Sequence, residues 1–577
     1  MKQTFFEPGL TSLRCNRFPV IPCVFFLAAL LCLLSLYPQI TMGEILECRS
    51  FLLMGGFEVP FRVDRLSLGV GTLFATLYLL VTIYSAAYIT AYRLKYYVLL
   101  TLNFCSLLGL IFSQDLLGFY IFFEILSLSA YFLIIHSREK EALEAGYKYI
   151  VMMLVGGLCI LTAIMVVFIA PLEKEYLGRL AGISFSIGCL LKAGAFPFHP
   201  WLPEAHPAAP SPISALLSGV MIKVGAYGLV RAFFYPNFFE GMSEGSRRFS
   251  FETLRRVSQS ISCVNHWLID PTLLLIYTGV LSMVIGVSLA LLQKDLKKLL
   301  AYHSVSQIGY ILLGIGIGKD GFAGGILHLL SHAIFKGLLF LAVGSVIFRT
   351  GTRKIDMLGG IWRKMPVTTL TCLIAAISIS GVPFTSGYAS KGMIFGGLEG
   401  NLLFEIIFIL TSAGTCASFL KLIRHTFFGR PNSALVNVQE VPASMYIPML
   451  FLSAGSFMLG IFPDTVLKIL LGQSAPQPHL WTFVHLAEAL VSLGIGGALY
   501  TFLLRIGVFG FSHYQTANSG QKHFAKYFSV NSWYHSLARG VVVLCIKLEQ
   551  IQSRSLSASI QMVIAFLVLI MLMSFTL

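Results

Sequence analysis

Several well-separated stretches of this chain carry ionisable side chains whose flanks are almost wholly apolar. Glu124 stands in FYIFFEIL (119–126), Lys192 in CLLKAGAF (189–196) and Lys223 in VMIKVGAY (220–227). His328, His332 and Lys336 follow at i, i+4 and i+8, a spacing that puts all three on one face of a helix, and Lys391 ends the series. Groups of these types in such surroundings suit proton transfer. Burial disfavours a charged lysine and a nearby carboxylate favours it, so moving Glu124 relative to Lys192 would switch that lysine's affinity for a proton. Imidazoles, which titrate near ~6.5 in water, suit the passage of protons between lysines. His199, between Pro197 and Pro200, is an accessory candidate whose plainer reading is a cap on a broken helix. The plainer readings for the others are a snorkelling Lys391 near a helix end and a packing role for His328. His328 and His332 have metal-ligand spacing, but no carboxylate or cysteine joins them and Lys336 is an unsuitable neighbour, so no metal is expected.

The elements that must position these groups are membrane spans. Of 577 residues, 56% are hydrophobic and only 12% charged, a balance that a soluble domain of this size could not tolerate on its surface. A helix needs ~20 apolar residues to cross the hydrocarbon core, and about fifteen such windows recur along the chain. They run near 20–40, 66–90, 95–113, 116–135, 145–170, 181–198, 211–234, 273–292, 301–318, 322–348, 368–391, 401–423, 444–463, 484–504 and 558–575. The long continuous runs predict an all-α, polytopic transmembrane helical bundle, since a membrane barrel would show ten-residue alternation instead. An ionised side chain at the bilayer centre costs at least ~2.5–3.5 kcal/mol, so each buried charge in such a bundle needs a partner or a task.

The net charge of +15 is chiefly a topology signal, and no nucleic-acid partner is expected. Lys and Arg gather in alternate loops: Lys2, Arg14 and Arg17; Arg93 and Lys95; Lys294, Lys297 and Lys298; Arg349 to Lys364; Arg424 and Arg430. Cation-rich loops stay in the cytoplasm, which puts the N-terminus inside and, after an odd number of spans, the C-terminus outside. The long loop holding Arg247, Arg248, Arg255 and Arg256 departs from that pattern, as longer loops do. The apolar stretch 21–36 has a basic flank but no small-x-small cleavage site, and is expected to be a retained first span.

Eleven cysteines are scattered singly with no C-x-x-C pair, which excludes an iron–sulfur cluster or zinc ribbon. A Rossmann fingerprint and a P-loop are both absent, so no NADH site, nucleotide-driven pump or other cofactor site is encoded. Energy must come from an ion gradient or from a partner.

Two spans are interrupted alike. In 190–198 (LLKAGAFPF) and 378–387 (SISGVPFTSG), Gly and Pro fall within the membrane with a lysine close by. Interrupted helices at corresponding places in two halves indicate a transporter built from internal repeats, here near 95–234 and 273–423. The remaining parts are N-terminal spans in 1–94, an extramembrane insertion in 235–272, C-terminal spans in 424–504, a polar and amphipathic segment in 505–557 and a last span in 558–577.

The runs 192–205 (KAGAFPFHPWLPEA), 209–217 (APSPISALL), 221–227 (MIKVGAY) and 299–310 (LLAYHSVSQIGY), with His328 to Lys336 and Gly381-Val382-Pro383 to Lys391, carry a resemblance over roughly residues 60–430. The chain resembles the proton-conducting antiporter-like subunits shared by respiratory complex I, Mrp-type cation/proton antiporters and membrane-bound hydrogenases. The resemblance implies two inverted five-helix repeats, each with one broken helix. It also implies a proton relay through Glu124, Lys192, Lys223, His328, His332, Lys336 and Lys391. The chain differs from the family in having one span fewer before 61–67, and from complex I's most distal subunit in a tail too interrupted for a long lateral helix. The 236–266 insertion is also atypical.

The sequence therefore predicts a multi-pass subunit of a prokaryotic inner or cell membrane, set among other membrane subunits and lipid. It moves H⁺, with Na⁺ as an alternative second cargo, and carries out no redox step of its own. Its assembly is complex I-like, with an Mrp-type antiporter or a hydrogenase as alternatives. Competing readings are a membrane partner in proton-driven inorganic carbon uptake and a non-conducting scaffold.

Overall fold

A computed structural model of the chain describes residues 19–51, 58–169, 175–234, 271–430, 435–473, 475–476 and 481–506. The 236–266 insertion, the tail segment beyond 506 and the last span at 558–577 lie outside the described residues. Twelve described helices are long and apolar enough to cross a membrane, and two shorter apolar ones, Leu180–Ala193 and Pro366–Ser380, fall where the broken spans were expected. The all-α bundle is thus present, with one addition. After α1 (Val20–Ser35) and the short α2 (Tyr37–Thr41), strands β1 (Leu46–Phe51) and β2 (Glu58–Val63) pair antiparallel, with Leu46 opposite Val63 and Phe51 opposite Glu58. The alternation of Val59, Phe61 and Val63 with Pro60 and Arg62 is a strand pattern. An open two-stranded ribbon is tolerable here because it lies between spans, where water can satisfy its edges.

The spans begin where polar caps allow. Asp64 caps α3 (Arg65–Tyr88): its carboxylate accepts the Ser67 N–H at 2.9 Å while the Ser67 hydroxyl accepts the Asp64 N–H at 2.9 Å, the reciprocal box that satisfies two orphan donors. Asp64 also pairs with Arg231 near the end of a later helix. Burial alone would push the Asp64 carboxyl up, but the Arg231 guanidinium and the Ser67 donors outweigh it and hold that carboxyl below the usual range.

Between 93 and 234 come α4 (Arg93–Phe112), α5 (Leu116–Ile134), α6 (Lys140–Ile169), α7 (Glu175–Ala193), α8 (Leu202–Ala208), α9 (Ser211–Leu216) and α10 (Lys223–Phe234). Helices α7 and α8 form one broken span, and α9 and α10 run on as one continuous span through a π-helical turn, Leu217–Met221. Between 271 and 423 come α11 (Pro271–Leu291), α12 (Leu296–Ile317), α13 (Lys319–Thr350), α14 (Pro366–Ser380), α15 (Ser386–Gly396) and α16 (Leu402–Ile423), with α14 and α15 the broken span. Each interval therefore holds five spans, and in each the fourth is broken. Helices α17 (Ala443–Ile461), α18 (Pro463–Leu471) and α19 (Phe483–Arg505) complete the described chain.

The breaks have local causes. Helix α7 ends on Gly194 at φ +66° and α14 on Gly381 at φ +84°, the left-handed conformation that a glycine adopts without penalty. At the second break the start of α15 approaches the end of α14 so closely that a β-carbon on Gly387 would overlap the Ser378 carbonyl. The outer faces are apolar, with Leu128, Leu158, Leu281, Leu410 and Phe451 exposed, as lipid or neighbouring subunits require.

Candidate functional site

Breaking a helix frees carbonyls that must find donors. At the first break the Leu191 carbonyl accepts the Trp201 indole N–H at 3.1 Å. At the second the Ile379 carbonyl accepts the Lys391 ammonium at 3.0 Å. Both breaks thus consume their freed carbonyls locally, and each holds a lysine.

Lys192, in the last turn of α7, is 1% exposed. Its ammonium donates to Ser127 Oγ at 2.7 Å, lies 3.4 Å from Tyr149 Oη and stands 4.9 Å over the Phe123 ring. Ser127 is three residues after Glu124 on α5, so Glu124 lies one turn away on a neighbouring face; its charge acts on Lys192. Glu124 itself is only partly buried and reaches across to α6, where Gly157 gives it room.

Lys223 follows the π-turn and donates to the Ser218 carbonyl, a group that turn presents. π-turns inside helices mark functional positions, because the extra residue re-aims a carbonyl. Helix α10 lies against α7, with Gly225 at the Cys189 carbonyl, and the π-turn lies against α13, with Gly219 3.2 Å from the Ala333 carbonyl if given a β-carbon. Lys223 therefore sits between the Lys192 helix and the helix of the next three groups.

His328, His332 and Lys336 do share one face of α13, and all three are fully buried. The two imidazoles stack with ring centres 6.2 Å apart and planes 8° from parallel. His328 is clamped between Ser390 Oγ at 2.8 Å and the Gln307 amide oxygen at 3.0 Å. Among the described residues neither ring nitrogen of His332 has a hydrogen-bond partner, and the charges of Lys223 and Lys336 act on it. Lys336 donates to the Leu300 carbonyl at 2.6 Å.

Lys391 on α15 is 3% exposed. Besides Ile379 it donates to Ser412 Oγ at 3.0 Å and stands 4.9 Å over the Tyr310 ring. Ser390, its neighbour, is the hydroxyl on His328, so the last lysine and the histidine pair join through consecutive residues. His199 begins the 3₁₀ turn His199–Trp201 at the first break; it is buried, its ring stacks on Phe196 at 5.7 Å, and its Nδ1 has no partner.

The seven relay candidates stand on the adjoining helices α5, α7, α10, α13 and α15, six of them buried and Glu124 partly exposed. Sequence reasoning missed several members. His206, fully buried on α8, stacks on Phe340 at 4.5 Å with neither nitrogen bonded, and the charges of Lys336, Lys297 and Lys223 act on it. Glu488 on α19 is 8% exposed. Its setting, HLAEALVS, is less apolar than the FYIFFEIL around Glu124, but it too puts a carboxylate inside a long apolar span. The hydroxyls of Ser127, Tyr149, Ser390 and Ser412 had no sequence signal, since they matter only through what they face. Buried amines, imidazoles and a carboxylate of this kind are groups that can take up and release protons.

The sequence matches a family described as NADH:quinone oxidoreductase/Mrp antiporter, TM, over residues 113–244 and 253–420. It is 30% identical over 447 residues to NADH-quinone oxidoreductase subunit N of Desulforudis audaxviator, covering 72% of this chain and 84% of that one. It is 29% identical over 437 residues to hydrogenase-4 component B of Escherichia coli, covering 69% of this chain; it spans only 61% of that relative's length. Its backbone superposes with a TM-score of 0.74 on a chain of the membrane-bound sulfane sulfur reductase, an archaeal respiratory membrane complex, at 23% identity, covering 97% and 96% of the two chains. That likeness speaks to the fold.

Proposed function

Because this chain belongs to the NADH:quinone oxidoreductase/Mrp antiporter transmembrane family, we propose that it is a proton-translocating subunit of a multisubunit membrane assembly, passing H⁺ along the buried row from Glu124 to Lys391. The observation that supports this reading is the set of four buried lysines on adjoining helices, Lys192, Lys223, Lys336 and Lys391. Each lysine is buried and is held by a hydroxyl or a backbone carbonyl: Lys192 by Ser127, Lys223 by Ser218, Lys336 by Leu300 and Lys391 by Ile379 and Ser412. Neutral acceptors of this kind bind an ammonium without neutralising it, so the charge is free to leave as a proton.

In this mechanism Glu124 favours the charged state of Lys192. When the carboxylate is drawn away or neutralised, the Lys192 N–H bond breaks and the proton passes towards Lys223 and Lys336; His332 and then His328, which Ser390 joins to the Lys391 end, carry it on to Lys391. The charges titrate as a coupled set, so no step belongs to one residue alone. His199 and the first break give access from one side. The intervals 95–234 and 273–423 act as the two repeats, each supplying one broken-helix lysine.

Glu124 is partly exposed beside lipid-facing Leu128, a position that another membrane subunit would cover and act upon. Two relatives are by name a subunit and a component of larger assemblies, which supports that reading. The cation-rich loops support an N-terminus on the cytoplasmic side, and a prokaryotic inner or cell membrane is the location proposed. The test is proton uptake by vesicles holding the purified assembly, with wild type, Lys192→Ala and Glu124→Gln compared at matched assembly. Loss of uptake in both is expected; unchanged uptake would leave these charges as structural groups. Repeating the assay across a Na⁺ gradient separates simple H⁺ movement from exchange.

A further inference from the structure

We infer that Glu488 and Lys391 form a charge-compensating pair at the far end of the lysine row, so that a carboxylate on α19 does for the second broken helix what Glu124 does for the first. The inference rests on the relay reading above and adds a residue that lies outside both five-span intervals.

Glu488 is a buried carboxylate with little of its own to satisfy it. Among the described residues it accepts a hydrogen bond from Ser492 Oγ at 3.3 Å, one turn along the same helix. A carboxylate so placed needs a cation. The packing supplies one. Helices α16 and α19 run alongside each other in a regular register: Ala417 clusters with Tyr500, Gly496 lies at the Ala413 carbonyl and Cys416, and Cys416 Sγ stands 4.0 Å from the Leu493 carbonyl. One turn further back this register brings the Glu488 and Ser492 stripe to the level of Ser412, the hydroxyl that holds the Lys391 ammonium. From the other side, Ala489 packs in one cluster with Tyr388 and Met393, which flank Lys391 on α15. Glu488 is thus pressed from two helices towards the same lysine. Its charge acts on Lys391, and also on Tyr310, whose ring lies under the Lys391 ammonium.

The pair gives the row a defined end state. With Lys391 protonated and Glu488 ionised, the last station is neutral overall. If the ammonium hands its proton to the carboxylate, one N–H bond breaks, one O–H bond forms, and two neutral groups remain with no other reactant consumed. Either state is cheaper in a low-dielectric core than a lone lysine charge, which lets a proton wait at Lys391 until the station beyond it is free.

The experiment uses the intact assembly in vesicles. Glu488→Gln is expected to lower proton uptake to the level of Lys391→Met with assembly unchanged, Glu488→Asp to restore part of it, and the exchanged double variant Lys391→Glu with Glu488→Lys to exceed either single reversal. A second readout is independent of flux: a hydrophobic carbodiimide reacts with protonated buried carboxyls, so its incorporation at Glu488, read by mass spectrometry, should rise in Lys391→Met. Wild-type uptake in Glu488→Gln while Lys391→Met is blocked would overturn the pair, as would carbodiimide labelling of Glu488 that ignores Lys391. If Lys192→Ala and Lys391→Met both leave uptake intact, the relay reading fails instead, and the labelling alone decides whether the pair exists.

Discussion

The Glu124 carboxylate lies against the Cα of Gly157, so close that a β-carbon at 157 would overlap its Oε1. Helices α5 and α6 therefore hold the first acidic group of the row in a slot that only a glycine leaves open, and the direction in which Glu124 points is set by a residue with no chemistry of its own. Gly157→Ala should swing the carboxylate out of that slot. Misplacing a reacting group by about 1 Å can cost ~10²-fold in rate, so proton uptake per assembled complex should fall by one to two orders of magnitude. Gly494→Ala on α19, whose β-carbon would meet nothing, should leave uptake and assembly as they are. Vesicle uptake at matched assembly, read from native gels, checks both variants; equal uptake in the two would detach Gly157 from the relay.

The Asp64–Arg231 pair ties the start of α3 to the last turn of α10, and both side chains are largely buried. Removing one member of a buried pair costs ~3–5 kcal/mol, because the other charge is left uncompensated, and Asp64→Asn also weakens the cap on α3. The sign of the pH dependence follows from the depressed Asp64 carboxyl. Its stabilisation is complete above the unfolded carboxylate value near ~3.9 and is lost as pH falls through the lower folded value. Thermal unfolding of the detergent-solubilised protein should therefore show a lower Tm for Asp64→Asn at neutral pH. The gap to wild type should narrow on acidification. A gap that stays constant would remove Asp64 from the account.

Much of this arrangement was legible because lipid makes a buried charge conspicuous. Lys192, Lys223, Lys336 and Lys391 each stand alone in an apolar run, and the i, i+4, i+8 spacing of His328, His332 and Lys336 already placed them on one face. The breaks were legible from Gly194 with Pro197 and from Gly381 with Pro383, since no intact helix tolerates those pairs mid-span. The π-turn at Leu217–Met221 was not, because LSGVM reads as ordinary helix and the extra residue is absorbed only against α13. Nor was the hairpin at Leu46–Phe51 and Glu58–Val63, whose short alternation is lost between long spans. Gly157 and the hydroxyl partners matter only through what stands opposite them, which a single sequence does not record. Glu488 is a different case. It is an acid within an apolar span, but His485 and Ser492 beside it make it stand out less than Glu124 does.

Glu440 is an acid whose work is purely structural. Its carboxylate accepts the Val367 and Thr368 N–H groups at 2.8 and 3.1 Å and the Thr368 hydroxyl at 2.5 Å, satisfying the exposed donors at the start of α14. Loss of such a cap costs ~0.5–2 kcal/mol. Glu440→Ala should lower the Tm by a few degrees and leave proton uptake per assembled complex unchanged, because the cap is far along the helix from the break that holds Lys391. A loss of uptake without loss of stability would mean that Glu440 belongs to the ion path.

His332 separates the relay from ordinary packing most sharply. It is fully buried, neither ring nitrogen has a hydrogen-bond partner, and its ring stacks on His328 and lies 5.4 Å from Phe335. A buried polar group left unsatisfied costs ~1–3 kcal/mol, so a residue kept only for packing would be improved by an apolar side chain of similar size. His332→Met should accordingly hold or raise the Tm, yet lower proton uptake, since a thioether cannot take up a proton from the Lys223 and Lys336 end and release it to His328. His328→Met should behave differently. It strands the Gln307 and Ser390 groups that clamp the ring, so stability and uptake should fall together. A His332→Met variant that is both more stable and fully active would show that protons bypass this imidazole, and the path would then have to reach His328 from Lys223 directly.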